Sequence, residues 1–177
     1  MHELAITAIG ADRPGVVAAV TGVLAGLEAN LEDTSMTILG GRFAMVLIVA
    51  VPESLGADEV HESLAAPASE LGLDVSVHAS DRTSDTVEGD PWSVSVYGAD
   101  RRGIVHRFAR VLAEHGVNIS DLTTRVIGEA DRPVYAMLLD VSLPAGVSPD
   151  GLQTALGAVA QELGVECSMH AADADIL

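Results

Sequence analysis

The feature that most constrains this chain is an internal repeat. The phrase GADRPGVVAAV begins at Gly10 and GADRRGIVHRF begins at Gly98, 88 positions later. The match extends well past the phrase. Sliding the chain by 88 pairs Val17, Val23, Leu24, Ala25, Asn30, Asp33 and Gly40 with Val105, Val111, Leu112, Ala113, Asn118, Asp121 and Gly128. Four extra residues, Glu129 to Arg132, shift the offset to 92. Ala44, Met45 and Pro52 then meet Ala136, Met137 and Pro144, and Glu70-Leu71-Gly72 meets Glu162-Leu163-Gly164. A chain that repeats over its whole length folds as copies of one unit, here roughly eighty residues each.

Each copy reads in the same order. Glu3 to Gly10 alternates, with Leu4, Ile6 and Ala8 on one face, as a half-buried strand does. Trp92, Val94 and Val96 repeat that alternation. Val16, Val17, Val20, Val23, Leu24 and Leu27 then follow helical spacing, as do Ile104, Val105, Phe108, Val111 and Leu112. Asp12 and Asp100 stand where an N-cap belongs, and Pro14 sits in the first turn. Asn30 and Asn118 mark the turn out of the helix. Leu31 to Leu39, Gly40-Gly41 and Phe43 to Val51 predict a hairpin, matched by Ile119 to Ile127 and Val134 to Leu143. A second helix follows. In the second copy Ser148 caps it, Pro149 opens it, Leu152, Leu156, Val159 and Leu163 line its inner face, and Gly164 closes it. In the first copy this helix contains Pro67, which predicts a kink or break. Leu73 to Ala79 and Val165 to Ala171 supply last strands.

The resulting β-α-β-β-α-β order, twice over, predicts an α+β fold. Each unit is a ferredoxin-like four-stranded antiparallel sheet with two helices on one face. The expected organisation is a first domain over 1–80, a linker over 81–91 opening out of Ser80, a second domain over 92–172 and a tail over 173–177. Phe43 to Val51 is apolar throughout, which predicts that a partner unit or chain covers part of the sheet's other face.

Composition narrows the function. The formal net charge is -17, from 26 acidic and 9 basic residues, all nine of them Arg. That field repels nucleic-acid phosphates and anionic membranes, so neither is expected as a direct partner. Cys167 is alone, so neither an intrachain disulfide nor a Cys-based zinc site is expected. The start of the chain carries no basic segment leading into a long apolar one, and the longest apolar run, Phe43 to Pro52, is too short for a bilayer. A cytoplasmic protein is the expectation. No nucleotide-binding glycine motif, nucleophile elbow or convincing histidine–carboxylate metal spacing is present, so no cofactor, metal or catalytic set is expected. His78 and His170 match across the repeat as a shared structural position. Arg101, Arg102, Arg107, Arg110 and Arg125 gather in the second copy, where a solvated helix face balancing nearby Asp and Glu is favoured over a docking patch.

The repeated turn has two readings. Backbone N–H groups near Gly15, Val16 and Val17, and near Gly103, Ile104 and Val105, can meet an anion at a helix N-terminus. Asp12 or Asp100 beside them repels a phosphate but can hold an ammonium, so a molecule with both charges, such as an amino acid, fits. Against this, Asp12 serves as an N-cap with no ligand at all, and Gly15 can simply allow close helix–strand packing.

D-R-P-G-V-V at the strand–helix turn, a helix ending in A-N-L or V-N-I, and the element order together resemble the ACT domain. Two such domains in tandem resemble the glycine cleavage system transcriptional repressor group. The resemblance implies a non-enzymatic regulator that senses a small metabolite, an amino acid such as glycine or serine, at interfaces between domains. It also implies a homodimer that acts through a protein partner such as a transcription factor. Asn30 and Asn118 follow the helices that the turns begin, so on the antiparallel plan neither is near its own turn. The resemblance implies a ligand held between the turn of one domain and the post-helix Asn of its neighbour, by Asp12, Arg13, Pro14, Gly15 and Val16 with Asn30, and by Asp100, Arg101, Gly103 and Ile104 with Asn118. The second copy departs from the pattern in Arg102, His106 and Phe108. The alternative is a ligand-free interaction or assembly module.

Overall fold

The structure is a computed structural model, and it describes residues 1–80, 89–128 and 133–172. Most of the expected linker, the four extra residues 129–132 and the tail lie outside the described residues. The chain divides into two compact units, Met1–Ser84 and Asp85–Leu177.

The first unit runs β1 (His2–Ala11), α1 (Val16–Gly26), β2 (Asn30–Leu39), β3 (Arg42–Val51), α2 (Ala57–Leu71) and β4 (Leu73–Ala79). The second repeats this as β5 (Asp90–Gly98), α3 (Ile104–Glu114), β6 (Asn118–Ile127), β7 (Val134–Leu143), α4 (Pro149–Leu163) and β8 (Val165–Ala171). Each sheet is antiparallel, in order β2-β3-β1-β4 and β6-β7-β5-β8. The ferredoxin-like architecture expected of the repeat is therefore present twice.

Alternation builds both cores. Leu4, Ile6 and Ala8 of β1 and Phe43, Met45, Leu47, Val49 and Val51 of β3 are buried against Val16, Val20 and Leu24 of α1 and Val60 and Leu64 of α2. In the second unit Val94, Val96, Met137, Leu139 and Val141 meet Ile104, Phe108, Leu112, Leu152 and Leu156. Only every fourth residue of α1 is fully buried, so Val17, counted with the apolar face on spacing, is 41% exposed.

Three local expectations change. Pro67 lies inside α2, and the helix nevertheless continues unbroken to Leu71. Proline removes one N–H donor. Burial of Leu64 and Ala68 on either side of it holds the segment helical. Asn30 and Asn118 do not sit in the turns but open β2 and β6. Asp90 and Pro91 already belong to β5. Elsewhere the signals hold: Ser148 Oγ accepts from Gly151 N–H at 3.4 Å, Pro149 opens α4, and Gly164 ends it with φ 64°.

Candidate functional site

The repeated phrase falls where β1 feeds α1 and β5 feeds α3, and each of its glycines has a distinct physical cause. Gly15 and Gly103 are the N-cap residues, with φ of 96° and 89°. Only glycine takes that left-handed backbone without penalty. Nothing lies within 4 Å of the position a Cβ would take at either residue. The reading of Gly15 as a packing glycine is thus replaced by a conformational one. Close packing belongs to the other glycine. A Cβ on Gly10 would lie 2.8 Å from the Gly72 carbonyl oxygen, and one on Gly98 would lie 2.7 Å from Val165 Cγ1.

Asp12 and Asp100 are not caps. Neither α1 nor α3 has a side-chain cap hydrogen bond, because the cap position belongs to glycine. Asp12 instead donates its backbone N–H to the Gly41 carbonyl at 3.1 Å, which ties the turn to the β2–β3 hairpin and leaves the carboxylate exposed. Val16 N–H reaches Arg13 O only at 3.5 Å. An uncapped helix start carries partial positive charge and N–H donors that accept an outside anion.

A depression of about 500 Å³ lies against this turn. Asp12, Arg13, Pro14, Gly15, Val16, Val17 and Ala18 line one side, and Met36 and Phe43 of the hairpin close the other. Five of the expected residues of the first unit thus share one cavity. Asn30 stands apart from its own turn, as expected of a residue that follows the helix the turn begins. It pairs with Ala50, whereas Ala11, next to the turn, pairs with Arg42 at the other end of β3. At ~3.3 Å per residue those ends are about 26 Å apart. In the second unit Asn118 opposes Ser142 while Gly98 opposes Tyr135, again opposite ends of the sheet. Asp100, Arg101 and Gly103 are exposed at their turn and Ile104 is buried beneath it.

Met36 and Phe43 were missed because they read as ordinary hairpin residues. The signal that finds them is register. Met36 opposes Met45, Phe43 opposes Ile38, and Met45 and Phe43 are buried under the helices. Both residues therefore share the sheet face beneath the start of α1. Their repeat counterparts are Thr124 and Tyr135. Burial raises the Tyr135 phenol above its ordinary pKa, Thr124 hydrogen-bonds to it, and the Asp100 carboxylate adds to the rise. The second turn is therefore walled by hydroxyls where the first is walled by carbon and sulfur.

A larger depression of about 630 Å³ lies on the open face of the second sheet, with Arg125, Asp121, Asp140 and His170 among its lining. Ser93 donates to Asp140 there at 2.8 Å. Its volume exceeds that of the turn cavity, but it sets two carboxylates side by side across β6 and β7 and includes no helix terminus. The arginine cluster does not form one site: Arg107 pairs with Glu162, Arg110 pairs with Glu114, and Arg125 lies on the open sheet face. Among the described residues, no three or more His, Cys, Asp or Glu side chains gather as a metal set, and no helix is long and apolar enough to cross a membrane.

Comparison with known proteins follows the same plan. The family model for the ACT domain matches residues 2–78 and again 93–170. The glycine cleavage system transcriptional repressor of Escherichia coli is 27% identical, over 96% of this chain and 90% of its own. A phosphoserine phosphatase of Mycobacterium tuberculosis is 32% identical over 93% of this chain, which spans only 40% of the phosphatase. Among solved structures, a protein of unknown function from Galdieria sulphuraria superposes with a TM-score of 0.82 at 27% identity, covering 97% of this chain and 99% of that one.

Proposed function

From the premise that this chain belongs to the ACT-domain family, with two such domains in tandem, we propose that it is a non-enzymatic regulator that binds an amino acid at the Asp12–Val16 turn. The observation that carries this reading is the cavity where an uncapped helix start, an exposed carboxylate and an apolar wall meet. The helix N–H groups take the ligand's carboxylate and Asp12 takes its ammonium. Glycine and serine are the first ligands to test, glycine in keeping with the name of the Escherichia coli relative. Asp100, Arg101, Gly103 and Ile104 form the corresponding turn of the second domain. Asn30 and Asn118 serve a turn other than their own. The output is a change in contact with a protein partner, such as a transcription factor, by a cytoplasmic homodimer. Ligand binding shifts that contact only by its differential affinity for the two states. Net charge of -17 argues against direct contact with nucleic acid. Calorimetric titration of the folded protein with the twenty amino acids tests the reading, and heat from none of them removes it.

One observation favours the alternative, a ligand-free assembly module. All ten residues of β2 are exposed, and Leu31, Met36, Ile38 and Leu39 are apolar. An unpaired edge strand of this kind recruits another chain. That reading predicts an oligomer by sedimentation and no heat with any amino acid.

A further inference from the structure

The repeat allows the two sheets to be compared place by place on the face that their helices leave open. In the first unit the middle of that face holds Ala5, Thr7 and Ile9 of β1 opposite Ile48, Val46 and Ala44 of β3. Ile9 and Val46 are each 47% exposed, so two branched aliphatic side chains stand in water on adjacent strands. Among the described residues, the charges of this face stand on its rim, with Arg42 and Asp74 towards the hairpin end and Glu3 and Asp33 towards the other. The second unit fills the same places differently. Ser93 replaces Ala5, Asp140 replaces Ile48 and Arg125 replaces Thr37, and Asp121 lies directly opposite Asp140. One copy of the fold has thus kept a face suited to water, and the other has lost its central charges. A contiguous apolar face on one of two otherwise matching sheets marks an interaction surface.

Resting on the homodimer of the reading above, we infer that the open face of the first sheet is the dimer contact, stacked on the same face of a second copy of this chain. The occupant follows from chemistry. Alanine, valine, isoleucine and threonine lose little when they leave water for a surface of the same kind, and a second copy presents that surface through a two-fold axis. A face of the Asp121, Asp140 and Arg125 kind does not match, because pressing it on aliphatic side chains strips water from carboxylates and offers them no donor. The rim charges fit the same arrangement. Stacked head to tail, Arg42 of one protomer lies towards Glu3 and Asp33 of its partner, and Asp74 lies towards His78. The size is sufficient as well. Four strands about 4.8 Å apart and up to ten residues long make a face about 19 Å by 30 Å, so two of them cover roughly 1,100 Å², above the roughly 1,000 Å² that a specific contact needs. Small residues between Val46, Ile48 and Ile9 leave room for the interdigitation that aligned sheets use.

The test uses a pair of variants that the repeat itself supplies. Val46 and Leu138 are counterparts, both at the centre of β3 and β7 and exposed by 47% and 45%. Sedimentation velocity of the full chain over a concentration series gives the dimer dissociation constant. Val46→Lys is expected to raise it about a hundredfold, because the two-fold axis brings two ammonium groups into one dry contact. Leu138→Lys is expected to change it less than about threefold. Val46→Ile keeps the dimer, and Ile9→Lys, on the neighbouring strand, repeats the dissociation should Val46→Lys fail to fold by circular dichroism. A dimer unchanged in folded Val46→Lys or Ile9→Lys overturns this inference while the homodimer stands, and moves the contact elsewhere, with the β2 edge the first place to look. Equal dissociation by Leu138→Lys overturns the assignment to the first sheet. A monomer throughout the series overturns the homodimer and this inference with it.

Discussion

Replacing Gly98 with alanine tests whether the repeated phrase is shaped by chain packing, and the structure gives the size of the effect. The added Cβ would lie 2.7 Å from Val165 Cγ1, 3.0 Å from Val165 Cβ and 3.1 Å from Val165 Cα. Rotating the valine moves only the first of these, because Cβ and Cα are fixed by the pairing of Gly98 with Val165 across β5 and β8. The strands must therefore part locally. Overpacking of this kind costs 1–3 kcal/mol, and the immovable atoms place Gly98→Ala near 2 kcal/mol. For a unit of this size that lowers the melting temperature by roughly 8–16 °C. The single Trp, Trp92, packs against the core of the same unit, so its fluorescence reports that unit's unfolding. Gly157→Ala supplies the control of opposite sign. Gly157 is an exposed position inside α4 with nothing within 4 Å of a new Cβ, and alanine there gains about 0.5–1 kcal/mol of helix propensity. A Gly98→Ala protein that melts within about 0.5 kcal/mol of the original would refute the packing argument.

Two further outcomes follow from the site and from the lone thiol. Asp12→Ala changes stability by less than about 0.5 kcal/mol in a urea melt, since its side chain caps nothing. The same substitution weakens amino-acid binding about tenfold by losing a charge-assisted contact worth about 1.4 kcal/mol. A loss of stability near 1 kcal/mol with binding intact would return Asp12 to a capping role. Burial pushes the Cys167 thiol from its usual 9.0 up to about 11. Only the thiolate attacks, so at pH 8 its rate with iodoacetamide falls about a hundredfold below a free cysteine and rises with pH towards 11. A rate near that of free cysteine would mean that β8 opens readily.

Much of the architecture was written along the chain because its causes are local. Alternation at Leu4, Ile6 and Ala8, and again at Trp92, Val94 and Val96, marks strands by period alone. Ser148, Pro149 and Gly164 mark helix ends by hydrogen-bond supply and backbone freedom. The last strands, Leu73–Ala79 and Val165–Ala171, lie where the residue pattern puts them. The repeat supplied the rest, since a β-α-β-β-α-β order that recurs has few ways to bury its apolar faces.

The site was only half legible, for a reason that is equally physical. Asp12, Arg13, Pro14, Gly15 and Val16 are consecutive, so any fold that bends there brings them together. Whether Asp12 caps the helix depended on which residue takes the left-handed turn, and Gly15 takes it. Gly10 reads as one more strand residue until β4 is laid beside it and the Gly72 carbonyl closes on the missing side chain. Met36 and Phe43 reach the turn through hairpin register, whereas the distance of Asn30 from its own turn was legible in the element order, register adding only its size, about 26 Å. Local chemistry decided what each segment becomes. Strand order and register, which exist only once distant segments pair, decided which side chains share a cavity.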